Sequence, residues 1–356
     1  MIPPRLVVLS RRGEDALLPE HWTEIRQFAH TTAVRTDTAP DPDAAARLLA
    51  DADLLGATNL CLPRIDADLL DALPRLRGIV LYATGYDHLD VRLLRSRGVG
   101  LSVLPDYATT AVAEHCLAML LSLATRLHLA NDRSRDRVGP GVSLRGVELA
   151  GRTLGIVGVG RIGGAVARRA RALGMDVIGT DPDPGAVSRA RADGFSMVEP
   201  ERLLDHAHAV AVCANHSHGA APLLGRAELA GMRPGALLVN VARSALVDTE
   251  AAVEYVRSGR LRGYAVDDTV LDPDRHTDVL AEGRVLQTGH SAWWRDETLD
   301  RGARMWGERL LAAVRGRPGD AVTWPGRTGG PCDGRTEALG GRAGSSAREV
   351  TPEVVV

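Results

Sequence analysis

Four polar side chains stand at or near the ends of short apolar runs in the second half of the chain. Arg243 closes VNVAR, Asp267 closes GYAVD, Asp272 stands before Pro273, and His290 closes VLQTGH. As a set they hold what reduction of a keto acid by a nicotinamide requires. A substrate carboxylate needs a cation, and the planar guanidinium fork of Arg243 matches it bidentately. A developing alkoxide needs a proton donor, and an imidazole with an unperturbed pKa of about 6.5 gains and loses a proton near neutrality. A neighbouring carboxylate, here Asp272, raises that pKa and fixes the ring. Each residue also has a plainer reading: arginine in a structural ion pair, histidine on the surface.

Residues this far apart need a scaffold that gathers strand ends, and the stretch Leu154 to Asp181, LGIVGVGRIGGAVARRARALGMDVIGTD, supplies one. Its apolar start, Leu154 to Val157, reads as a buried strand. Gly158, Gly160 and Gly163 follow in G-x-G-x-x-G spacing, then a helix over Ile162 to Leu173 and a strand over Met175 to Gly179 ending at Asp181. Gly158 permits the tight turn, Gly160 admits a pyrophosphate to the backbone, and Gly163 lets helix and strand pack closely. The helix N-terminus offers N–H groups and a positive dipole end to the phosphates. Asp181, about 20 residues past the glycines, suits the ribose hydroxyls. Its charge, with Asp183 beside it, repels a 2′-phosphate, so NAD is expected over NADP. Arg189 and Arg191 just downstream keep NADP as the alternative.

The 356 residues suffice for two domains with sizeable cores. A net charge of −2 and 45% hydrophobic residues describe a globular protein without a basic nucleic-acid surface. No apolar run approaches the roughly 20 residues of a membrane span, and the start MIPPRLVVLSRRG is too short in apolar residues for a secretory signal. A cytoplasmic enzyme is therefore expected. Cys61, Cys116, Cys213 and Cys332 form no C-x-x-C pair. All 43 cations among Lys and Arg are arginine, which excludes Schiff-base chemistry and a G-K-[ST] phosphate loop.

Strands are expected at Arg5 to Ser10, Arg77 to Thr84 and Gly100 to Leu104, with a helix at Asp43 to Ala52, making a small parallel α/β domain. A long buried helix is expected over Thr110 to Ala130, then a polar link, Asn131 to Gly141. After the glycine loop, strands at Ala209 to Cys213, Ala236 to Val241, Leu261 to Asp267 and Arg284 to Thr288 alternate with helices, Thr249 to Ser258 the clearest. That pattern predicts a doubly wound parallel sheet with ligands at its C-terminal strand ends. Asp296 to Arg315 reads as a final helix. Residues 317–356, rich in Gly, Ser and Arg, read as a disordered tail. The pairs His206/His208 and His216/His218 flank Cys213 with a spacing that puts both rings on one strand face. Solvated loop histidines are the reading preferred to a transition-metal site, and no metal is expected.

Several motifs make the chain resemble the D-isomer-specific 2-hydroxyacid dehydrogenases over residues 5 to about 316. ATGYDHLDV (Ala83 to Val91) is similar to the family's substrate loop, PDYATTAVAEH (Pro105 to His115) to its hinge, and VGVGRIGGAVA to its cofactor loop. LLVNVARSALVD (Leu237 to Asp248) places the family's arginine at Arg243, and GHSAWW (Gly289 to Trp294) its acid/base histidine at His290. The resemblance implies two doubly wound α/β domains with the active site in a cleft between them. Residues 1–106 and 295–316 would form the flavodoxin-like substrate domain, and 107–294 the Rossmann cofactor domain.

The resemblance also implies site residues. Substrate would meet Ala83, Thr84, Gly85, Tyr107, Arg243, His290 and Trp293. The cofactor would meet Thr84, Val112 and the loop Gly158, Gly160, Arg161, Ile162, Gly163, with Asp181. Ala214 and Asn215 lie in the segment similar to the family loop along the cofactor, and Val241, Ala242, Arg243, Asp267 and His290 complete the set. Asp267 would contact the nicotinamide ribose or amide. A homodimer is implied, and an NAD-dependent reductase of a small 2-keto acid. Phosphite dehydrogenases and C-terminal-binding-protein corepressors resemble the same motifs, so a phosphorus-bearing substrate or an NADH-sensing scaffold are the alternatives.

Three positions depart from the family pattern. Asp272 stands where glutamate is usual, with Asp268 and Asp274 as alternative carboxylates. Gly289 stands where proline is common, and Ser244 where glycine follows the arginine.

Overall fold

A computed structural model describes residues 2–216 and 219–325. Among these the chain forms two compact units, one from residues 2–108 and 295–325, the other from residues 109–216 and 219–294. Both are α/β with parallel sheets. His218, Cys332 and residues 326–356 of the expected tail lie outside the described residues.

The first unit carries β1 (Arg5–Ser10), β2 (His30–Arg35), β3 (Leu54–Thr58), β4 (Gly78–Tyr82) and β5 (Gly100–Ser102) in the order β2-β1-β3-β4-β5. All four pairings are parallel, and the order is the flavodoxin-like one. Leu9, Leu55, Ile79, Leu81 and Leu101 are wholly buried on its strands, each worth roughly 1.5–3 kcal/mol of transfer from water. The helix Asp296–Val314 returns to cover the sheet. Its Trp306 is fully buried and donates from Nε1 to Val80 O at 3.0 Å.

The second unit carries β6 (Thr153–Val157), β7 (Asp176–Thr180), β8 (Ser196–Met197), β9 (Ala209–Val212), β10 (Ala236–Asn240), β11 (Leu261–Val266) and β12 (Val285–Gln287). Their order is β12-β11-β10-β9-β6-β7-β8, parallel throughout. The chain moves outward from β6 in one direction and from β9 in the other. The loops after these two neighbours therefore diverge and leave a crevice at their C-terminal ends.

Three expectations need correcting. The helix expected over Thr110 to Ala130 is two, Thr109–Thr125 and Leu127–Ser134, so part of the expected link is helical. Arg126 breaks it with φ +59°, and its buried guanidinium donates from Nη2 to Glu282 O at 2.7 Å. A tertiary bond at one residue overrides an unbroken local propensity. Residues 317–325 are not tail: Val322 N donates to Leu101 O at 2.8 Å and Leu101 N to Thr323 O at 2.7 Å. The Trp324 ring lies where Cβ atoms on Gly78 and Gly100 would be, so those two glycines make its seat. Finally, His206 and His208 do not share a strand face. His206 ends a helix and its Nδ1 lies 3.0 Å from Arg202 O, whereas His208 precedes β9 and its Nδ1 accepts from Thr153 N at 3.2 Å. No group of three metal-binding side chains occurs among the described residues.

Candidate active site

The crevice between β6 and β9 is shaped by backbone approach. Gly158 has φ +91°, and a Cβ there would stand 2.6 Å from Ala214 N. A Cβ on Gly163 would run into Gly158 O, so the helix Arg161–Ala172 starts hard against the turn only because the residue is glycine. The N-cap of that helix, Gly160, brings no capping side chain, which leaves the first turn open to an anion. Asp181, at the end of β7, accepts from Val159 N and from Asp183 N, each at 2.9 Å. It is thereby tied to the glycine loop while each carboxylate oxygen retains a second lone pair. Ile162 and Ala214 are half-buried, Arg161 and Asn215 exposed, and Val112 and Val241 buried. This cradle fits a dinucleotide.

A second group of side chains gathers beyond the ends of β10, β11 and β12. Asn240, fully buried, accepts from Ala242 N at 3.0 Å and donates from Nδ2 to Arg243 O at 2.7 Å. That pair turns the chain so that Arg243 leaves the sheet edge three-quarters buried, at 26% side-chain exposure. His290 lies on the opposite loop. Gly289 has φ +59° and His290 φ +61°, two successive residues in the left-handed region. His290 N donates to Asp267 O.

Asp268 joins the two. Its Oδ1 is 3.4 Å from His290 Nδ1 and 4.0 Å from Arg243 Nη1. Its Oδ2 accepts from Ser244 N at 3.0 Å and from Ser244 Oγ at 3.2 Å. Asp272, assigned to this place from its position before Pro273, is not there. It is exposed and caps the helix Pro273–Ala281, accepting from Asp274 N at 2.9 Å. An aspartate before Pro at a helix start is a strong N-cap, and that local chemistry decides its place. The two departures Ser244 and Gly289 serve the same arrangement. The Ser244 hydroxyl braces Asp268, and Gly289 takes a backbone conformation closed to proline.

Asp267, expected against the nicotinamide, turns its carboxylate into the loop that carries His290. It is 3% exposed, and Oδ1 accepts from Thr288 Oγ1 at 2.6 Å and from Ser291 N at 3.0 Å. Trp293 is half-buried and meets Trp294 edge to face at 5.0 Å between centroids. In the first unit Ala83, Thr84 and Gly85 follow β4, and Thr84 Oγ1 donates to Leu104 O at 2.8 Å. Tyr107 is 7% exposed, packed edge-on against Tyr82 at 5.3 Å with its carbonyl accepting from Arg301 Nε at 2.8 Å. Burial pushes the Tyr82 phenol up to about 12. The hydrogen bond with Cys213, and then burial, raise Cys116 well above an ordinary thiol, so it is a packing group and not a nucleophile.

The fold and these groups define a nucleotide-dependent α/β enzyme scaffold, and comparison with known proteins sharpens the class. Residues 117–292 match the NAD binding domain of the D-isomer specific 2-hydroxyacid dehydrogenases. The chain is 31% identical over 323 residues to glyoxylate reductase of Korarchaeum cryptofilum (strain OPF8), covering 88% of this chain and 93% of that protein. It is 32% identical over 252 residues to D-3-phosphoglycerate dehydrogenase of Mycobacterium leprae (strain TN), covering 71% and 48%. It thus spans about half the length of the phosphoglycerate dehydrogenases it matches. A solved structure of a protein from Thermus thermophilus shares 32% identity at a TM-score of 0.73, over 90% of this chain and 100% of that one. The chain belongs to the D-isomer specific 2-hydroxyacid dehydrogenase family. No helix among its described residues is long and apolar enough to cross a membrane.

Proposed function

We propose that the protein is an NAD-dependent 2-hydroxyacid dehydrogenase working as a reductase of a small 2-keto acid. The observation that carries this reading is the meeting of Arg243 and His290 at one carboxylate, Asp268, at the strand ends of a dinucleotide fold. Gly158, Gly160, Gly163 and Asp181 would hold the dinucleotide, which when bound supplies hydride to the keto carbon. Arg243 orients the substrate carboxylate and polarises the carbonyl. His290 gives its proton to the carbonyl oxygen as charge develops there. Asp268, facing Nδ1, fixes the orientation of the ring and leaves Nε2 available for that transfer. Trp293, on the same loop as His290, is assigned to an apolar wall.

NAD is preferred to NADP because the Asp181 carboxylate, tied to the glycine loop through Val159 N at the end of β7, would meet a ribose hydroxyl and repel a 2′-phosphate. The family reading carries a cytoplasmic homodimer with it, and sedimentation of the purified protein measures the dimer. Oxidation of NADH against a panel of 2-keto acids, with phosphite and NAD as the competing pair, tests the function. Turnover of glyoxylate, pyruvate or hydroxypyruvate is expected. Turnover of phosphite alone, or of nothing with NADH bound, would overturn the reading.

A further inference from the structure

We propose that His115 and Thr288 are positioning residues for His290, acting through the buried carboxylate of Asp267; the kinetic part of this proposal rests on the function given above. The starting point is the backbone of His290. A non-glycine residue with φ +61° directly after a glycine with φ +59° stands in the left-handed region that L side chains rarely adopt, and it persists only where its surroundings over-determine it. Asp267 is what over-determines it. Its carbonyl accepts from His290 N, Oδ1 accepts from Ser291 N at 3.0 Å and from Ala292 N at 3.2 Å, and Oδ2 lies 3.3 Å from Ala292 N. One residue thus receives three consecutive N–H groups, those of positions 290, 291 and 292.

That clamp works only if the carboxylate is itself held. Thr288 Oγ1 lies 2.6 Å from Asp267 Oδ1, and His115 Nε2 lies 3.0 Å from Thr288 Oγ1 and 3.6 Å from Asp267 Oδ1. Proton bookkeeping sets the direction. An ionised carboxylate only accepts, so the one hydroxyl proton of Thr288 goes to Asp267. The hydroxyl lone pair then accepts, and His115 must carry its proton on Nε2. The chain runs His115 Nε2–H to Thr288 Oγ–H to Asp267 Oδ1, each donor polarising the next. His115 sits on the helix Thr109–Thr125, which packs on β10 and β11, and its side chain is 11% exposed. The helix thus bears on the aim of His290 through Thr288 and Asp267.

Paired substitutions separate a relay from plain packing. Thr288→Val keeps the shape and loses the hydroxyl, whereas Thr288→Ser keeps the hydroxyl and loses a methyl. Packing alone ranks Val at or above Ser. The relay ranks Ser well above Val, with kcat for Thr288→Val lowered at least tenfold at saturating NADH and NADH affinity within about twofold of wild type. Hydrogen–deuterium exchange on the cofactor-free protein gives a second readout. Exchange at Ser291 and Ala292 is expected to accelerate about tenfold in Thr288→Val and to stay near wild type in Thr288→Ser. If Thr288→Val does not fold, His115→Gln, which can retain a donor, against His115→Leu carries the same contrast. Valine matching wild type in both readouts, or outperforming serine, overturns the proposal. A wild-type protein inert toward every keto acid overturns the functional reading instead, and the exchange measurement still decides the relay.

Discussion

Asp268 and His290 face one another at 3.4 Å, Oδ1 to Nδ1, while the other oxygen of the same carboxylate is held by the N–H and hydroxyl of Ser244. The carboxylate facing the histidine thus comes from the residue after Asp267, at the end of β11, and not from the start of the following helix. Removing it tests the assignment. Asp268→Asn is expected to lower kcat by about 10²–10³, within the usual range for a positioned acid–base group. Asp272→Ala is expected to retain turnover and lose about 1 kcal/mol of stability as an N-cap. Steady-state kinetics and thermal melts of the two variants check both halves, and the reverse ranking would restore Asp272 to the site.

Gly289 is the next point of control. Proline fixes φ near −65°, which is incompatible with the φ of +59° found there. Gly289→Pro is expected to fold, because the loop lies beyond β12, and to lose turnover by at least a hundredfold while NADH still binds. Fluorescence titration of NADH beside kinetics distinguishes a misaimed histidine from a lost cofactor site.

Asp181→Ala tests the proposed preference for NAD over NADP. The substitution removes the carboxylate assigned to the ribose and the acceptor for Val159 N. NADH affinity is expected to fall about tenfold, or ~1.4 kcal/mol, and the preference over NADPH to shrink. Unchanged discrimination in titrations with both cofactors would place the selectivity elsewhere.

The glycine loop is sterically closed at Gly163, where a Cβ meets Gly158 O. Gly163→Ala is expected to cost about 1–3 kcal/mol through overpacking and to weaken NADH binding at the same time. Calorimetric melting with and without NADH measures both.

In the first unit, Trp324 covers Gly78 and Gly100. Trp324→Ala is expected to destabilise that unit by about 2–4 kcal/mol, toward the low end of buried Trp truncations since the ring is half-buried. Denaturant unfolding followed by tryptophan fluorescence tests it. A loss below about 0.5 kcal/mol would mean the segment contributes nothing to the sheet edge.

The second unit was legible from sequence because its signals are local. A strand, a glycine turn and a helix adjoin in Leu154 to Asp181, and β9 (AVAV) and β10 (ALLVN) are near-continuous apolar runs, as central strands covered on both faces demand. The first unit was less so. β2 reads HTTAVR, a half-exposed polar edge, and β3 reads LLGAT, with a glycine whose Cβ would meet Leu310 and Trp306. Neither carries a pattern that stands alone. Arg243 and His290 were findable because each ends an apolar run. Asp268 was obscured: it lies among Asp267, Asp272 and Asp274, and the one assigned by spacing happens to be the best helix cap. The bracing role of Ser244 depends on residues 24 apart, which no local window contains.

The helix Asp296–Val314 is made last among the long elements yet lies in the sheet made first, with Trp306 and Leu310 fully buried there. Synthesis therefore interrupts the first unit with the whole of the second. On the ribosome the strands β1 to β5 must wait, with an uncovered apolar face, until nearly two hundred further residues have emerged. The nucleotide-fold unit, contiguous in the chain, is free to mature first.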